Sequence, residues 1–191
     1  MSKPIVILYA TREGQTRRIA EHVADVLKAR GFDVDLKNVR DGSPDLKQYS
    51  AAILAASAHG GKHEPEMVKF VQDHLADLEQ MPSSFLSVTL SEAGAEMLDL
   101  SPEMRARHST GVREVLDRFF EDTGWQPRHV KPVAGAILYS KYNPLVKFII
   151  KRIARKAGGG TDTSRDYEYT DWVSLDRFVD EMAAELTAPV V

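Results

Sequence analysis

The chain of 191 residues contains no cysteine. Disulfide bonds, iron–sulfur clusters, thiolate metal sites and cysteine nucleophiles are therefore excluded. No apolar run approaches the roughly 20 residues of a membrane-spanning helix, and no segment has the pattern of a secretory signal peptide. The net charge of −3 gives no general attraction to nucleic acid. These absences predict a cytoplasmic protein that does not bind nucleic acid.

Two common phosphate-binding motifs are also missing. Neither the G-x-x-x-x-G-K-[ST] spacing of a P-loop nor the G-x-G-x-x-G spacing of a dinucleotide site is present. The serines lack a histidine and an acid at hydrolase spacing, and the histidines and acids do not cluster as metal ligands do. No nucleophile–base pair is therefore evident, the identity of any catalytic residue is left open, and no metal site is predicted.

The chain does have a hydroxyl-rich turn between its first apolar segment and its first helical pattern. Thr11, Gly14 and Thr16 lie in this turn, and the helix begins at once after it. Free amide groups and the helix dipole favour an anion at such a place, and a loop with one glycine suits a single phosphate. The same residues are also consistent with an ordinary helix cap at Thr11 and a turn glycine.

Strand-like and helical patterns alternate along the whole chain. Strands are predicted at residues 5–10, 32–39, 50–57, 84–90 and 129–137, with helices at 15–30, 64–78, 102–121 and 171–186. With 43% apolar residues, the sequence predicts one domain, residues 1–191, with a flavodoxin-like α/β fold and a doubly wound five-stranded parallel sheet in the order 2-1-3-4-5. Loops 11–16, 57–63 and 89–99 would then meet at the carboxyl edge of the sheet, where a cofactor binds.

The sequence resembles the quinone-dependent protoporphyrinogen dehydrogenases, a flavodoxin-like family of haem biosynthesis. The resemblance extends over nearly the whole chain, and its most specific part lies in residues 158–172, within and just after an insertion that ordinary flavodoxins lack. The matching residues are Thr11-Arg12-Glu13-Gly14-Gln15-Thr16, Met81-Pro82-Ser83, Ser87-Val88, Trp125-Gln126-Pro127, Ala134-Gly135-Ala136, Gly158-Gly159, Thr161-Asp162-Thr163 and Tyr169-Thr170-Asp171-Trp172.

The resemblance implies FMN as cofactor, a porphyrinogen as substrate and a quinone as electron acceptor. The residues expected to bind FMN are Thr11, Arg12, Glu13, Gly14, Gln15, Thr16, Ser57, Ala58, His59, Gly60, Gly61, Thr89, Leu90 and Ser91. His59, within this set, and His63, in the same loop, are both candidates for hydrogen bonding to the flavin or for proton transfer, although two histidines in a solvated loop fit the sequence as well.

A long insertion, residues 138–170, separates the fifth strand from the last helix. Residues 144–157 form a predicted amphipathic helix, and no acidic residue occurs between Lys141 and Lys156. Such a helix is typical of proteins that lie on anionic membranes, although a surface helix packed on its own domain has the same pattern. Tyr139 and Tyr142 would suit the interface beside it. The cations expected to contact lipid, or the propionates of the substrate, are Lys147, Lys151, Arg152 and Arg155.

We therefore expect an FMN-dependent oxidoreductase that oxidises protoporphyrinogen IX to protoporphyrin IX at the inner face of the cell membrane. The sequence is consistent with either a monomer or an oligomer. Two other functions remain consistent with the residues. One is a soluble flavodoxin-type electron carrier whose basic helix docks a partner protein, and the other is a flavin-dependent quinone reductase. A flavodoxin domain that has lost its flavin is a weaker third.

Overall fold

The computed structural model describes residues 3–187, apart from the side chain of Lys156. The strands of its main sheet are β1 (Ile5–Ala10), β2 (Val34–Asn38), β3 (Ala51–His59), β4 (Lys62–His63), β5 (Ser83–Thr89) and β6 (His129–Ala134). Five of them are parallel, in the spatial order β2-β1-β3-β5-β6, and the two-residue strand β4 pairs antiparallel with the end of β3. With β4 set aside, this is the predicted 2-1-3-4-5 order, so the flavodoxin-like fold is confirmed.

Helices cover both faces of this sheet because successive residues of a strand point to opposite sides. Ile5 and Ile7 of β1 pack with α1 (Gln15–Ala29) and α7 (Trp172–Thr187) on one face. Val6 and Leu8 pack on the other face with three helices, and every one of these four side chains is essentially inaccessible to solvent. The three helices are α2 (Pro65–Asp73), α3 (Leu75–Glu79) and α5 (Pro102–Thr123).

Two predicted elements differ in the structure. The helix predicted at 64–78 is interrupted at His74, whose ring lies 2.9 Å from the Phe70 carbonyl oxygen and 2.8 Å from the Ser43 hydroxyl. The prediction of a loop at 89–99 is wrong, because these residues contain a helix, α4 (Leu90–Glu96). This helix begins at Thr89, whose hydroxyl accepts a hydrogen bond from the Glu92 amide at 3.0 Å.

The strand predicted at 129–137 is divided at Gly135. The Gly135 amide donates to the Thr89 carbonyl at 2.9 Å, while its carbonyl accepts from the Tyr169 amide at 3.1 Å. After this point β7 (Ala136–Ile137) leaves the main sheet and pairs antiparallel with β8 (Tyr167–Glu168). Gly135 thus marks the place where the chain departs into the long segment before α7.

This segment contains α6 (Pro144–Ala157), which begins at the Asn143 cap and ends at Gly158, a residue with φ of +76°. It has a small core of its own, built around Ile137, Tyr139 and Ala154. Tyr139 is fully buried and donates its hydroxyl to the Gly160 carbonyl at 2.9 Å. The expectation that Tyr139 sits in a membrane interface is therefore wrong, because its ring is part of this core.

Candidate functional site

A cleft of about 960 Å³ lies at the carboxyl edge of the sheet. The three predicted loops line it together, and the walls beyond them come from α5 and from residues 135–153. Of the fourteen residues expected to bind the cofactor, only Gly14 does not line the cleft. Those that do are Thr11, Arg12, Glu13, Gln15, Thr16, Ser57, Ala58, His59, Gly60, Gly61, Thr89, Leu90 and Ser91.

The turn that precedes α1 has the features of an anion site. Gly14 adopts a φ of +107°, which side-chain-bearing residues rarely adopt, and its amide donates to the Thr11 hydroxyl at 3.0 Å. No side chain caps the start of α1, so its first amides remain available as donors. The Thr16 hydroxyl is buried at this helix start and has no hydrogen-bond partner. A buried hydroxyl without a partner is costly, and a bound phosphate oxygen would supply the missing acceptor.

The Gln15 side chain has a structural task instead. Its amide nitrogen donates to the Glu168 carboxylate at 2.6 Å and to the Thr170 hydroxyl at 3.0 Å. The Thr170 hydroxyl in turn donates to the Ala134 carbonyl at 2.7 Å. This chain of hydrogen bonds fixes the anion turn against β8 and the end of β6, so of Gln15 only the backbone amide is free to face a ligand.

A buried carboxylate, Glu64, joins the anion turn to the end of β3. It is 2% exposed, accepts a hydrogen bond from the Ser57 hydroxyl at 3.2 Å and pairs with Arg12 at 3.3 Å. Arg40 lies 3.8 Å from it, and His59 Nε2 lies 3.4 Å from it. His59 Nε2 is also 3.1 Å from the Glu13 carboxylate, but neither contact has the direction of a hydrogen bond. Glu64 therefore balances the cations around it and fixes their positions at the cleft.

The stretch predicted as a loop after the third strand is a tight β-hairpin. Ala58 and His59 continue β3, and Lys62 and His63 return along it. Two residues, Gly60 and Gly61, make the turn with φ of +59° and +77°, the signs that the favoured two-residue hairpin turn requires. Arg118 of α5 donates to the Gly61 carbonyl at 3.3 Å, so the hairpin is held against the far wall of the cleft.

His63, at the base of this hairpin, is a packing residue. Its ring lies edge-on to Phe85 and Phe119, with centroids 5.1 and 4.8 Å away, and its Nε2 is 2.9 Å from the Ser87 hydroxyl. Burial lowers the pKa of His63 to about 4. The imidazole is therefore neutral near pH 7 and anchors the hairpin without adding charge to the site.

The wall opposite the anion turn comes from the inserted segment. Tyr142 and Lys141 line the cleft there, followed by Val146, Ile150 and Ile153 on one side of α6. The pKa of Tyr142 is raised to about 12, chiefly by burial, with the nearby Glu13 carboxylate adding to the shift. The phenol is thus neutral, and this wall presents an aromatic ring and an aliphatic surface to the cleft.

The four cations of α6 named above are absent from the lining of this cleft. Arg152 and Arg155 are exposed, and Lys147 and Lys151 are partly exposed. Within residues 3–187, none of the four lies within 4.0 Å of a carboxylate. The cations that do line the cleft are Arg12, Arg118 and Lys141.

Sequence reasoning missed three contributors to the site. The first is Glu64, which the sequence indicated only as the first residue of a helix. The second is α5, which supplies one wall of the cleft with Gly111, Glu114, Val115 and Arg118. Tyr142 was assigned to an interface. None of the three had a local signal for this role, because each acquires it through contacts between distant segments.

The described part of the chain lacks two features. Residues 3–187 contain no group of three or more histidine, aspartate or glutamate side chains that could hold a metal ion. Among the same residues, no helix is both long enough and apolar enough to cross a bilayer.

Fold and site together define a flavodoxin-like, flavin-binding domain. Residues 6–164 match the flavodoxin domain family. The fold is similar to that of a flavodoxin from Streptococcus pneumoniae TIGR4, with a TM-score of 0.52 at 21% identity over 97% of this chain and 99% of the other. It is also similar to flavodoxin 1 from Bacillus cereus, with a TM-score of 0.53 at 16% identity over 96% and 99% of the two chains.

Curated relatives narrow this class. The chain is 34% identical over 179 residues, 93% of each chain, to the protoporphyrinogen IX dehydrogenase [quinone] of Escherichia coli strain K12. It is 33% identical over 189 residues to the protein of the same name from Leishmania major, covering 96% of this chain and 76% of the other. The chain belongs to the flavodoxin domain family and, within it, to the family of the quinone-dependent protoporphyrinogen IX dehydrogenases, as the resemblance implied.

Proposed function

We propose that this protein oxidises protoporphyrinogen IX to protoporphyrin IX with FMN as cofactor and a quinone as electron acceptor. The observation that carries the proposal is the 34% identity, which extends over 179 residues and 93% of each chain. The anion turn and the segment that forms the wall opposite it both lie within residues 6–164, which match the flavodoxin domain family. The electron carrier and the quinone reductase are the alternatives that the experiments below distinguish.

The anion turn is suited to the phosphate of FMN. Thr16 and Thr11 would hold it with their hydroxyls, and the free amides at the start of α1 would hold it with the helix dipole. The single turn provides for one phosphate, which favours FMN over a dinucleotide. When bound, the flavin supplies the redox chemistry by taking electrons from the porphyrinogen and passing them to the quinone.

The chain's own residues then bind and orient the reactants. The cleft is large enough to bind more than a cofactor, and Val146, Ile150 and Ile153 give it an apolar wall against which a tetrapyrrole or quinone ring would be desolvated. Arg118 and Lys141 line the same cleft and would pair with the propionates of the substrate. We propose this role for these two residues because Arg152 and Arg155 do not line the cleft.

The function is testable in cells. A strain that lacks its own protoporphyrinogen oxidase should grow without added haem when it expresses this chain. The matched control is the same strain expressing the Thr16→Val variant, which should grow poorly because FMN is bound weakly. An electron carrier or quinone reductase would leave the strain dependent on haem although the protein is folded and yellow.

We further propose that α6 holds the protein on the anionic inner surface of the cell membrane. Four of its apolar side chains are 47–70% exposed, and the cations Lys147, Lys151, Arg152 and Arg155 surround them. Asp166 lies near two lysines of this region, and its pKa is lowered, mainly by hydrogen bonds from the Ser140 hydroxyl and amide. The negative charge of Asp166 therefore offsets only part of the positive charge of α6 and the residues before it. The exposed apolar residues are Leu145, Phe148, Ile149 and Ile153.

Changing the four cations of α6 to glutamine is expected to release the protein from anionic vesicles. Each basic residue near such a surface contributes about 1 kcal/mol, so the partition coefficient should fall by roughly 100- to 1,000-fold. Co-sedimentation with vesicles of anionic and of neutral lipid measures this effect, and added salt should weaken wild-type binding.

A matched control removes four exposed lysines elsewhere, Lys28, Lys37, Lys47 and Lys69. This control should bind vesicles nearly as well as the wild type. If both quadruple variants bind equally, net charge rather than α6 determines the binding, and the membrane proposal for this helix fails.

A further inference from the structure

A second, smaller cavity lies between α4 and α6, and we refer to it as the α4–α6 groove. We propose that it binds the first part of the hydrocarbon tail of a prenylated quinone, while the quinone ring occupies the main cleft. The inference rests on the proposed function in one respect, namely that a quinone accepts electrons from the flavin in the cleft.

The lining of the groove is almost entirely apolar. Ten of its eleven residues are aliphatic, methionine or glycine. The remaining one, Tyr169, already accepts a hydrogen bond from the Gly160 amide at 2.9 Å on its hydroxyl. The groove thus offers contact area to a hydrocarbon but no group that would select a polar ligand.

The groove continues directly from the cleft. Leu90, Ile150 and Ile153 line both cavities, so a ligand can extend from one into the other along a continuous apolar surface. Leu90 is 37% exposed and Ile153 is 52% exposed, which is unusual for large aliphatic side chains that border a cavity. A ligand placed across them would cover this exposed surface.

The α4–α6 groove is large enough for a hydrocarbon chain but too small for a quinone ring or a tetrapyrrole. Its volume is about 50 Å³, against about 960 Å³ for the cleft. Small residues on both helices, Ala93 and Gly94 on α4 and Ala154 and Ala157 on α6, keep the two helices from filling it. A flexible aliphatic chain fits such a space, whereas a tetrapyrrole or a quinone ring does not.

The far side of the groove also suits a tail that remains in the membrane. Ile153 borders the groove, and Ile149, one helical turn before it, is 47% exposed among the apolar residues assigned to the lipid surface. A quinone tail would therefore pass from the lipid along α6 to the cleft. Its polar ring would reach the flavin while most of its apolar chain stayed out of water.

The test compares one benzoquinone ring with a geranyl tail and without a tail. FMN-loaded protein is reduced with dithionite, and the excess dithionite is removed. The reduced protein is mixed anaerobically with each quinone, and the return of the oxidised flavin absorbance is followed as two electrons pass from the flavin to the quinone and form the quinol. We expect the second-order rate constant of reoxidation of the wild type to be roughly 10-fold higher for the tailed quinone. The ratio of the two values is the readout, so changes that affect both quinones equally cancel.

Two variants alter the groove in different ways. Ala157→Leu fills it and should bring the ratio of tailed to tailless quinone close to one. Met97→Gln keeps the shape but adds a polar amide, and it should lower the ratio by about 3- to 5-fold. The matched controls are Ala106→Leu, on the exposed surface of α5, and Met104→Gln, on the same helix, and neither residue lines the groove or the cleft. Both controls should retain the wild-type ratio.

A ratio that stays at the wild-type value in both groove variants would overturn the proposal, and so would a wild-type ratio of one. Because dithionite replaces the porphyrinogen, the assay does not depend on the donor reaction. Reoxidation by the tailed quinone without porphyrinogen oxidation would refute the donor half of the proposed function and leave the groove supported. No reoxidation by either quinone would refute the groove together with the quinone as acceptor.

Discussion

Replacing Thr16 with valine is expected to weaken FMN binding by roughly 10- to 100-fold, because a hydrogen bond to a charged group contributes about 1.5–3 kcal/mol. The Thr16 hydroxyl is buried at the start of α1 and has no partner within the protein. Valine has the same shape and lacks only the hydroxyl. Fluorescence titration of the apoprotein with FMN measures the change.

Riboflavin separates loss of the phosphate contact from general damage to the site. It lacks the phosphate, so Thr16→Val should leave its affinity unchanged. The apoprotein should be at least as stable as the wild type, since the variant removes a buried hydroxyl that has no partner. Thr110→Val, on the exposed surface of α5, is the matched control and should change neither affinity. Equal losses for FMN and riboflavin would show that the phosphate does not bind at this turn.

The second large effect concerns the charges around Glu64. Replacing Arg12 and Arg40 together with methionine would leave a 2% exposed carboxylate with only His59 and Ser57 beside it. Removing one side of a fully buried ion pair costs about 3–5 kcal/mol, and here we expect roughly 2–3 kcal/mol because the two arginines are about half exposed. For a domain of this size that loss corresponds to a fall in Tm of about 5–10 °C.

The rescue variant makes this prediction specific. Adding Glu64→Gln to the double variant removes the uncompensated charge and keeps an acceptor for Ser57, so the part of the loss that comes from Glu64 should return. The small contribution of the half-exposed Arg40–Glu66 pair, 2.7 Å apart, should stay lost. Arg17→Met is the control, since Arg17 pairs with Glu21 on the exposed side of α1 and its loss should leave the stability almost unchanged. A double variant as stable as Arg17→Met would mean that Glu64 does not depend on the two arginines.

The fold was predictable from the sequence because its determinants are local or periodic. The residues of β1 are all buried, α1 follows the anion turn at once, and the alternation of strands and helices permits few topologies. The order of the five parallel strands and the meeting of three loops at one edge follow from that alternation. Gly14 has the positive φ of a turn glycine, which was one of the two interpretations that the sequence left open.

The parts that were missed depend on contacts between distant segments. Glu64 has its role because Arg12, Arg40 and His59 come to it from three other places in the chain. α4 was hidden by Gly94, which normally disfavours a helix. Here a side chain on Gly94 would lie within 2.5 Å of the His108 ring, so close packing explains the glycine. The Thr89-x-x-Glu92 spacing, typical of a helix start, was the local signal that could have revealed this helix.

In the inserted segment, the ends of α6 could be predicted from the sequence, but the surroundings of its apolar residues could not. Pro144 and Gly158 mark the ends of α6 in the sequence. The pattern could not say which apolar residues would face the cleft, because Ile150 and Ile153 line it while Leu145 and Phe148 remain exposed. That division is determined by the small core around Tyr139, which a helical wheel does not show.

The central claim is that this chain uses FMN to pass electrons from a porphyrinogen to a quinone. The most direct measurement is an anaerobic assay in which FMN-loaded protein, protoporphyrinogen IX and a quinone are mixed and porphyrin fluorescence is followed. We predict that fluorescence rises only when all three are present. We also predict that Thr16→Val at limiting FMN lowers the rate by roughly 10-fold or more, because the variant binds FMN more weakly. Protein that is folded and FMN-loaded, reduces the quinone with another electron donor, and leaves the porphyrinogen unoxidised would contradict the account.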